Sequence, residues 1–287
     1  MRTLTAILLM MLATTALAQD VPTITDEPGV PNLPAEASFD ILGIQLGMTP
    51  SEVEAATSKR MRTNQGRLFF TDPQTGGEFQ LEYPAEMNSV SPPLIGNERF
   101  TAGQDEVTVE LGTQAVGGRV MSVRRFLSPP DAEPISMEGF RQLLTDKYGE
   151  PSGANKVRDA LIWIYDEDGN KLDLPFFSEE VDYRGLMDPV SAGTTNEEDL
   201  APAPCVFALR SGVSDGLYPY EYQEERELRD PDCVAALFVK LRGGDRLQNA
   251  TLVMVDGQRR IANAQGLDQA IEEAFSGGAP SRNAPEL

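Results

Sequence analysis

The side chains in this chain that could carry out chemistry are its carboxylates and two cysteines, because the sequence contains no histidine. The lack of histidine excludes Ser-His and Cys-His nucleophile pairs and zinc bound by imidazole. No glycine-rich phosphate-binding loop occurs either. We therefore expect no cofactor, and no single residue stands out as catalytic.

Pairs of carboxylates could still support hydrolysis. A glycosidase needs two acids at a defined separation, and the chain has 45 Asp and Glu residues, among which sequence alone selects no pair. Such enzymes bind sugar rings with aromatic side chains, whereas aromatic residues make up 7% of this chain and its single tryptophan, Trp163, lies in an apolar run typical of buried core. A carboxylate-dependent hydrolase acting on envelope glycans or peptides is thus the alternative function.

The acidic run Asp166–Asn170 could bind calcium or form a turn. A calcium-binding EF-hand loop requires glycine at its sixth position, but Gly169 is fourth counting from Asp166. Asp, Gly and Asn are also typical turn residues. We predict a turn between two strands here, and no metal site.

The two cysteines, Cys205 and Cys233, predict one disulfide bond. In an oxidising compartment an even, minimal count favours a structural bond, and the Cys-x-x-Cys spacing typical of redox pairs is absent. Such a bond contributes about 3–4 kcal/mol to stability in the loop-entropy picture.

The compartment is inferred from residues 1–18, which have the pattern of a secretory signal peptide. Arg2 precedes an apolar run, Leu4–Leu12, and Ala16–Ala18 supplies small residues for cleavage. The run is far shorter than the roughly 20 residues that span a bilayer, so we expect cleavage after Ala18 rather than a stable membrane anchor. The mature protein is predicted to be soluble and periplasmic.

The charge of the chain restricts its partners. The formal net charge is −21, and no Lys/Arg-rich stretch stands out against it. An acidic protein repels phosphate backbones and anionic lipid, so we expect neither nucleic acid nor a membrane surface as a partner. The expected partner is another protein of the cell envelope.

The order of helix and strand signals predicts an α+β fold of two tandem units, each with a helix packed on antiparallel β-hairpins. A Pro- and acid-rich leader at 19–37 is predicted to be disordered. The first unit spans 38–130 and the second spans 131–278, with the disulfide in the second unit and a tail at 279–287. Each unit repeats the order capped helix, hairpin, loop and Gly-Gly hairpin.

Capping residues predict where the helices lie. The first should begin at Thr49 with a Thr-x-x-Glu capping box and run to about Lys59–Arg60. The second should begin at Ser136 and end at Gly149. A short last helix is expected around Leu267–Phe275.

Alternating apolar residues separated by turn residues predict four hairpins. The paired strands are expected at Leu68–Thr71 with Glu78–Tyr83, around Gly117–Gly118, at Leu161–Tyr165 with Lys171–Leu174, and at Val234–Arg242 with Leu247–Asp256. A loop that contains Pro84 is expected between the first hairpin and the second.

The insert at 176–204 is the expected contact surface. It holds seven acidic residues against one arginine, and a loop of that length is uncommon without a function or disorder. The predicted disulfide loop adds tyrosines, which are common anchors in protein interfaces, although they could instead pack under the disulfide. The candidate partner contacts are Glu179, Glu180, Tyr183, Tyr218, Tyr220 and Tyr222.

Short motifs in both halves resemble those of small envelope proteins of the BamE/SmpA type. Gly47–Val53 is similar to their Gly-Met-Thr helix start, and Tyr148–Pro151 followed by Trp163–Tyr165 is similar to their Gly-x-Pro helix stop and aromatic strand. Those proteins, like the β-lactamase-inhibitor proteins of similar shape, pack helices on an antiparallel sheet and act by binding other proteins. The resemblance implies the same fold class and a non-catalytic binding role.

Overall fold

The computed structural model describes residues 33–71, 78–90, 103–155, 160–172 and 234–276. This part of the chain is an α+β fold with a large antiparallel sheet and three α-helices, which confirms the predicted fold class. The helices are α1 (Pro50–Ala56), α2 (Met137–Tyr148) and α3 (Gly257–Ser276). The strands are β1 (Asp40–Ile41), β2 (Ile44–Gln45), β3 (Met61–Thr71), β4 (Glu78–Ser89), β5 (Asp105–Leu111), β6 (Val120–Leu127), β7 (Gly153–Asn155), β8 (Ala160–Tyr165), β9 (Ala235–Gly243) and β10 (Leu247–Asp256).

The large sheet has eight strands in the order β3-β4-β5-β6-β10-β9-β8-β7, and β1 and β2 form a separate small sheet. Every pairing in the large sheet is antiparallel. The four strands from the first half of the chain thus lie side by side, as do the four from the second half. The two groups join where β6 pairs with β10, from Leu127↔Ala250 to Ser122↔Val255.

The main hydrophobic core lies on one face of this sheet. It contains alternate residues of the strands, such as Val109 and Leu237, together with Phe140 and Leu144 of α2. Trp163 belongs to the same cluster and is fully buried, as its apolar surroundings predicted. Because side chains alternate between the faces of a strand, burial of these positions holds α2 against the sheet.

Helix α3 covers part of the opposite face. Its Arg260 bonds Glu110, whose side chain points away from those of its neighbours Val109 and Leu111 in β5. The helix also contacts β6, β9 and the 3-10 turn Gln114–Val116. None of the three described helices is both long and apolar enough to cross a bilayer.

The predicted helix starts of α1 and α2 are confirmed. The Thr49 hydroxyl accepts a hydrogen bond from the Glu52 backbone N–H, and the Glu52 carboxylate accepts one from the Thr49 N–H, which completes the capping box. Ser136 caps α2 by accepting from the Gly139 N–H. At the other end of α2, Gly149 takes the positive φ of 76° that glycine permits.

The predicted end of α1 at Lys59–Arg60 is wrong, because the helix ends at Ala56. Lys59 is instead bound by Asp105 of β5: its Nζ lies 3.0 Å from Asp105 Oδ2 and 2.7 Å from the Asp105 carbonyl oxygen. The chain beyond α1 is thus held by a contact 46 residues away along the sequence, just before β3 begins.

The last helix begins ten residues earlier than predicted, immediately after β10. Asp256 accepts a hydrogen bond from the Arg259 N–H at 2.8 Å, so the last residue of the strand caps the helix. Gly266 disfavours helix by intrinsic propensity, but a Cβ at this position would lie 2.7 Å from that of Ala115. Glycine is thus required for close packing of α3 on the 3-10 turn.

Three of the four predicted hairpins are confirmed as β3–β4, β5–β6 and β9–β10, and the one predicted at Leu161–Tyr165 with Lys171–Leu174 has a different pairing. β8 pairs along its whole length with β9 and through its first three residues with β7, and its contact with Lys171 is a single bridge at Tyr165. Residues 160–164 are all buried, and a strand of this kind belongs inside a sheet. The hairpin predicted at Val234–Arg242 with Leu247–Asp256 is confirmed as β9 and β10.

Pro84 lies within β4 rather than in the predicted loop. The register of β3 and β4 moves from Asn64↔Glu86 to Gln65↔Pro84, so a β-bulge occurs at Ala85. Proline has no N–H to donate and is tolerated at bulges. In the leader that was predicted to be disordered, Ala35–Ala37 form a 3-10 turn, and Ala37 is fully buried in the main core.

Candidate interaction surface

Several residues selected from the sequence lie outside the described residues, so their predicted roles stay predictions. The signal peptide, the insert at 176–204 and both cysteines, Cys205 and Cys233, are among them. Gly212–Gly216, which has the spacing Gly-x-Ser-x-Gly, was not selected from the sequence and also lies outside the described residues; a chain without histidine offers Ser214 no imidazole base. The predicted partner contacts in this group are Glu179, Glu180, Tyr183, Tyr218, Tyr220 and Tyr222.

The acidic run Asp166–Asn170 forms a turn, as predicted. The Asp166 carboxylate accepts hydrogen bonds from the backbone N–H groups of Asp168 at 3.0 Å and Asn170 at 2.7 Å, and from the Asn170 side chain at 3.1 Å. These bonds, led by that of the Asn170 side chain, lower the pKa of Asp166. Its oxygens are therefore used within the turn itself.

The two buried carboxylates of the described part belong to Glu110 and Asp256. Arg260 of α3 bonds Glu110, and Arg259 of the same helix bonds Asp256 with 3.1 Å between Nε and Oδ2. Burial raises the pKa of Asp256, against the opposing effect of the Arg259 charge and its hydrogen bonds. We call these four residues the α3 charge cluster.

The α3 charge cluster fastens the helix to the sheet. Beside it, the Asn263 side-chain oxygen accepts hydrogen bonds from the Thr113 N–H at 2.8 Å and the Thr113 hydroxyl at 2.7 Å. A two-acid hydrolase needs partly buried carboxylates that face each other across a cleft. In the described part, each buried carboxylate is instead occupied by an arginine, so the cluster supports packing and not acid–base catalysis.

A groove of about 700 Å³ lies between the β6–α2 connection and the β9–β10 turn. Backbone hydrogen bonds join the two segments: the Met137 N–H donates to the Asp245 carbonyl, and the Leu247 N–H to the Ile135 carbonyl. Asp131 and Asp245 line the groove, and both are exposed. Neither therefore meets the burial that a general acid needs.

The β3–β4 hairpin extends beyond the rest of the sheet; we call its outer part, residues 65–71 and 78–84, the arm. β4 pairs with β5 only through Glu86–Asn88, whereas β3 and β4 pair with each other from Met61↔Ser89 to Thr71↔Glu78. Among the described residues, the strands of the arm have only each other as strand neighbours. In this part of the chain, β3 is therefore an edge strand along its whole length.

One face of the arm is apolar and packed. Leu81 and Tyr83 are buried there, opposite Leu68 and Gly66 of β3. A Cβ on Gly66 would lie 3.1 Å from the Tyr83 ring and 2.5 Å from the Ala85 Cβ. The tyrosine ring thus covers the glycine, which keeps the two strands close at the bulge.

The other face of the arm is exposed. On β3 it presents Gln65, Arg67 and Phe69, and Phe69 has 71% of its surface in solvent. Arg67 Nε lies 2.9 Å from Glu82 Oε1, with both side chains more than half exposed. Such a pair contributes roughly 0.2–1 kcal/mol. It therefore orients the guanidinium but leaves it accessible to a binding partner.

The segment that ends in the arm is also basic. Residues 55–71 contain four cations, Lys59, Arg60, Arg62 and Arg67, and no Asp or Glu. Arg60, Arg62 and Arg67 are exposed. The net charge of −21 concealed this stretch, which a local count of charges would have found.

The base of the hairpin is anchored by ionic contacts. The Arg125 guanidinium binds the Asp105 carboxylate through Nε at 2.8 Å and Nη2 at 3.1 Å, and Lys59 binds the same carboxylate. Burial raises the pKa of Asp105, but the hydrogen bonds and charges of Arg125 and Lys59 outweigh it and leave the pKa below its usual value. The chain entering β3 is thus tied to β5 and β6.

No known protein family, curated protein or solved structure matches this chain. Its function must therefore be inferred from its own residues and geometry.

Proposed function

We propose that this chain is an exported protein of the cell envelope that binds another protein and is not an enzyme, with the arm as its contact surface. The observation that supports this most is β3 itself, an eleven-residue edge strand with exposed cations and an exposed phenylalanine. An unpaired strand edge is a ready template for another chain. Large exposed apolar side chains beside arginine are also typical of interface anchors.

Export is proposed from the signal-peptide pattern of residues 1–18 and, with it, a periplasmic location and a disulfide between Cys205 and Cys233. The test is mass spectrometry of the protein recovered from the periplasmic fraction. We expect a mature N-terminus at Gln19 and a mass two hydrogens below that of the reduced chain. Retention in the cytoplasm with Met1 still present would contradict export, and two free thiols would contradict the disulfide.

We also propose that the fold consists of two tandem α+β units. In the described order, α1 precedes β3–β6, and α2 precedes β7–β10. The two four-stranded groups lie in mirrored order across the sheet and meet through their last strands, β6 and β10. This arrangement is what two similar units would produce if they paired through equivalent edges.

The binding role can be tested by photo-crosslinking. A photoreactive phenylalanine analogue replaces Phe69 in one variant and Leu143 in a control; Leu143 is an apolar residue on α2 with 59% of its surface exposed. We expect position 69 to give a discrete crosslinked band in the envelope and position 143 to give none. Equal labelling at both positions, or none at position 69, would contradict the arm as the contact surface.

The acidic insert stays a second proposed contact, on the basis of its length and charge. Deletion of residues 178–203 is expected to remove partners that the full chain captures from an envelope extract. If the same proteins are captured by both forms, the insert has no part in binding.

A further inference from the structure

We infer that the open edge of β3 accepts an extended acidic segment of a partner protein as an added strand. In this arrangement, a carboxylate of the partner lies opposite Arg67 and an apolar side chain two residues away lies opposite Phe69. The inference rests on the proposed binding role and specifies the kind of partner that the surface fits.

The backbone of β3 provides the hydrogen-bonding groups for a new strand. The Arg60 carbonyl accepts from the Val90 N–H at 2.8 Å, so the backbone groups of Arg60 point toward β4. In an antiparallel ladder, the backbone groups of successive residues point alternately to one neighbour and to the other. The residues whose N–H and C=O groups point to the open edge are therefore Met61, Thr63, Gln65, Arg67 and Phe69.

The side chains on this edge determine what can bind. Thr63, Gln65, Arg67 and Phe69 are all exposed, and residues two apart in a strand lie on one face. Arg67 and Phe69 thus form a cation and an aromatic ring side by side. Cross-strand pairs on one face are the contacts that stabilise paired strands, so a carboxylate and an apolar residue with the same spacing complement this pair.

Charge complementarity favours an acidic partner over a second copy of this chain. Residues 55–71 carry four cations and no carboxylate. β3 contains Arg62 and Arg67 but no Asp or Glu, so pairing with β3 of another copy would give neither arginine a counter-charge, and a register centred on either one would place like charges opposite each other, which is destabilising. An acidic segment instead gains local attraction at Arg62 and Arg67.

The test uses three synthetic peptides and fluorescence anisotropy. In the first peptide, Glu and Val occupy alternate positions of one face and Thr fills the other face. The second carries Lys in place of Glu. The third repeats the first with N-methyl groups on alternate amides, which removes one hydrogen-bonding edge but keeps the composition. We expect the Glu peptide to bind at least tenfold more tightly than the other two, and the difference between Glu and Lys peptides to shrink at high salt.

Two variants of the protein locate the binding edge. Arg67→Gln should weaken binding of the Glu peptide at least fivefold, whereas Arg242→Gln, which removes an exposed arginine at the end of β9, should leave it unchanged. Thr63→Pro removes an N–H that points to the open edge and should also weaken binding. Hydrogen exchange should show new protection of β3 amides when the Glu peptide is bound.

The outcomes separate this inference from the binding role. If the Glu and Lys peptides bind equally, if the N-methylated peptide binds as well as its parent, or if none binds, strand addition by an acidic segment is wrong. Crosslinking at position 69 without binding of the Glu peptide would leave the binding role intact and overturn only the strand-addition mechanism. Binding of the Glu peptide without any crosslink at position 69 in the envelope would support strand addition at β3 and contradict the arm as the contact surface for an envelope protein.

Discussion

Loss of the Glu110 carboxylate should strongly destabilise the protein. Arg260 is 1% exposed and the Glu110 side chain is 11% exposed, so the pair is almost completely removed from water. Removal of one partner from a buried ion pair costs about 3–5 kcal/mol, because the remaining charge has lost its counterion. For a domain of this size, that corresponds to a fall in melting temperature on the order of 10 °C. We therefore expect this loss for Glu110→Ala.

Urea unfolding followed by circular dichroism measures this effect. Glu106→Ala is the matched control, since Glu106 lies on the same strand and the same face but is half-buried; it should change stability by less than about 0.5 kcal/mol. The double variant Glu110→Leu with Arg260→Met should recover much of the loss, because apolar groups can replace a buried pair at little cost. If Glu110→Ala costs no more than Glu106→Ala, the α3 charge cluster does not hold the helix as we describe.

Three further predictions concern elements that position the arm and the core. Thr49→Ala should reduce stability by about 1 kcal/mol through loss of the capping box, measured by urea unfolding; Thr49→Ser should retain most of it, and equal losses in both would contradict a capping role. Asp105 has a lowered pKa in the folded state, so its stabilising contribution is present above its unfolded pKa and is lost as the pH falls through the folded value. Asp105→Asn should thus be less stable than the parent at pH 7, and the difference should narrow toward pH 3; a constant difference across this range would argue against the ionic contact. Trp163 donates from Nε1 to the Gly149 carbonyl at 3.0 Å and is fully buried. Trp163→Phe should therefore cost roughly 1–3 kcal/mol by circular dichroism, and no loss would mean that the bond and the filled volume contribute nothing.

The elements that could be predicted from sequence are those decided by neighbouring residues. The Thr49 capping box, the Ser136 cap and the Gly149 helix end each depend on contacts within five residues. The β9–β10 hairpin also has its turn residues between its two strands. In these places, local signals and tertiary structure agree, as expected for natural sequences, in which local conformational preferences rarely conflict with the overall fold.

The elements that were predicted wrongly depend on distant contacts. Lys59, predicted to end α1, lies beyond the helix and binds Asp105 of β5. Gly266 lies inside α3, where Ala115 leaves no room for a side chain. The partner of β8 is β9, about 75 residues away in sequence. These contacts cannot be recognised from neighbouring residues alone. Helix propensity and hydrophobic alternation therefore favoured other helix ends and another strand partner.

The arm was missed for a similar reason. The basic segment that leads into it is visible in the sequence, since residues 55–71 have four cations and no carboxylate, but the excess of acids elsewhere obscured that segment. The position of these cations is not visible in the sequence: that Arg62 and Arg67 lie on an edge strand follows from the strand order, in which β3 is the outermost described strand. The local charge count suggests a surface, and the topology places that surface at the rim of the sheet.

The two edges of the sheet differ in a way that bears on this surface. The described β7 has three residues, whereas β3 has eleven. Proteins protect strand edges by keeping them short or by placing charges on them, and β7 is protected by its length. β3 instead has charged side chains. Positive and negative charges prevent self-association of an edge equally well, and this chain has 45 acidic residues that could have served that purpose. Cations at this edge therefore favour attraction to an acidic partner.

This reasoning predicts the result of reversing the sign of the edge. A variant with Arg62→Glu and Arg67→Glu retains charges that resist self-pairing, so it should stay as monodisperse as the parent in analytical ultracentrifugation. It should lose binding of the Glu-bearing peptide and gain binding of the Lys-bearing one, because the attraction at the edge has changed sign. If the variant discriminates between the two peptides as the parent does, the arginines serve only to prevent self-association. The sign of their charge would then carry no information about the partner.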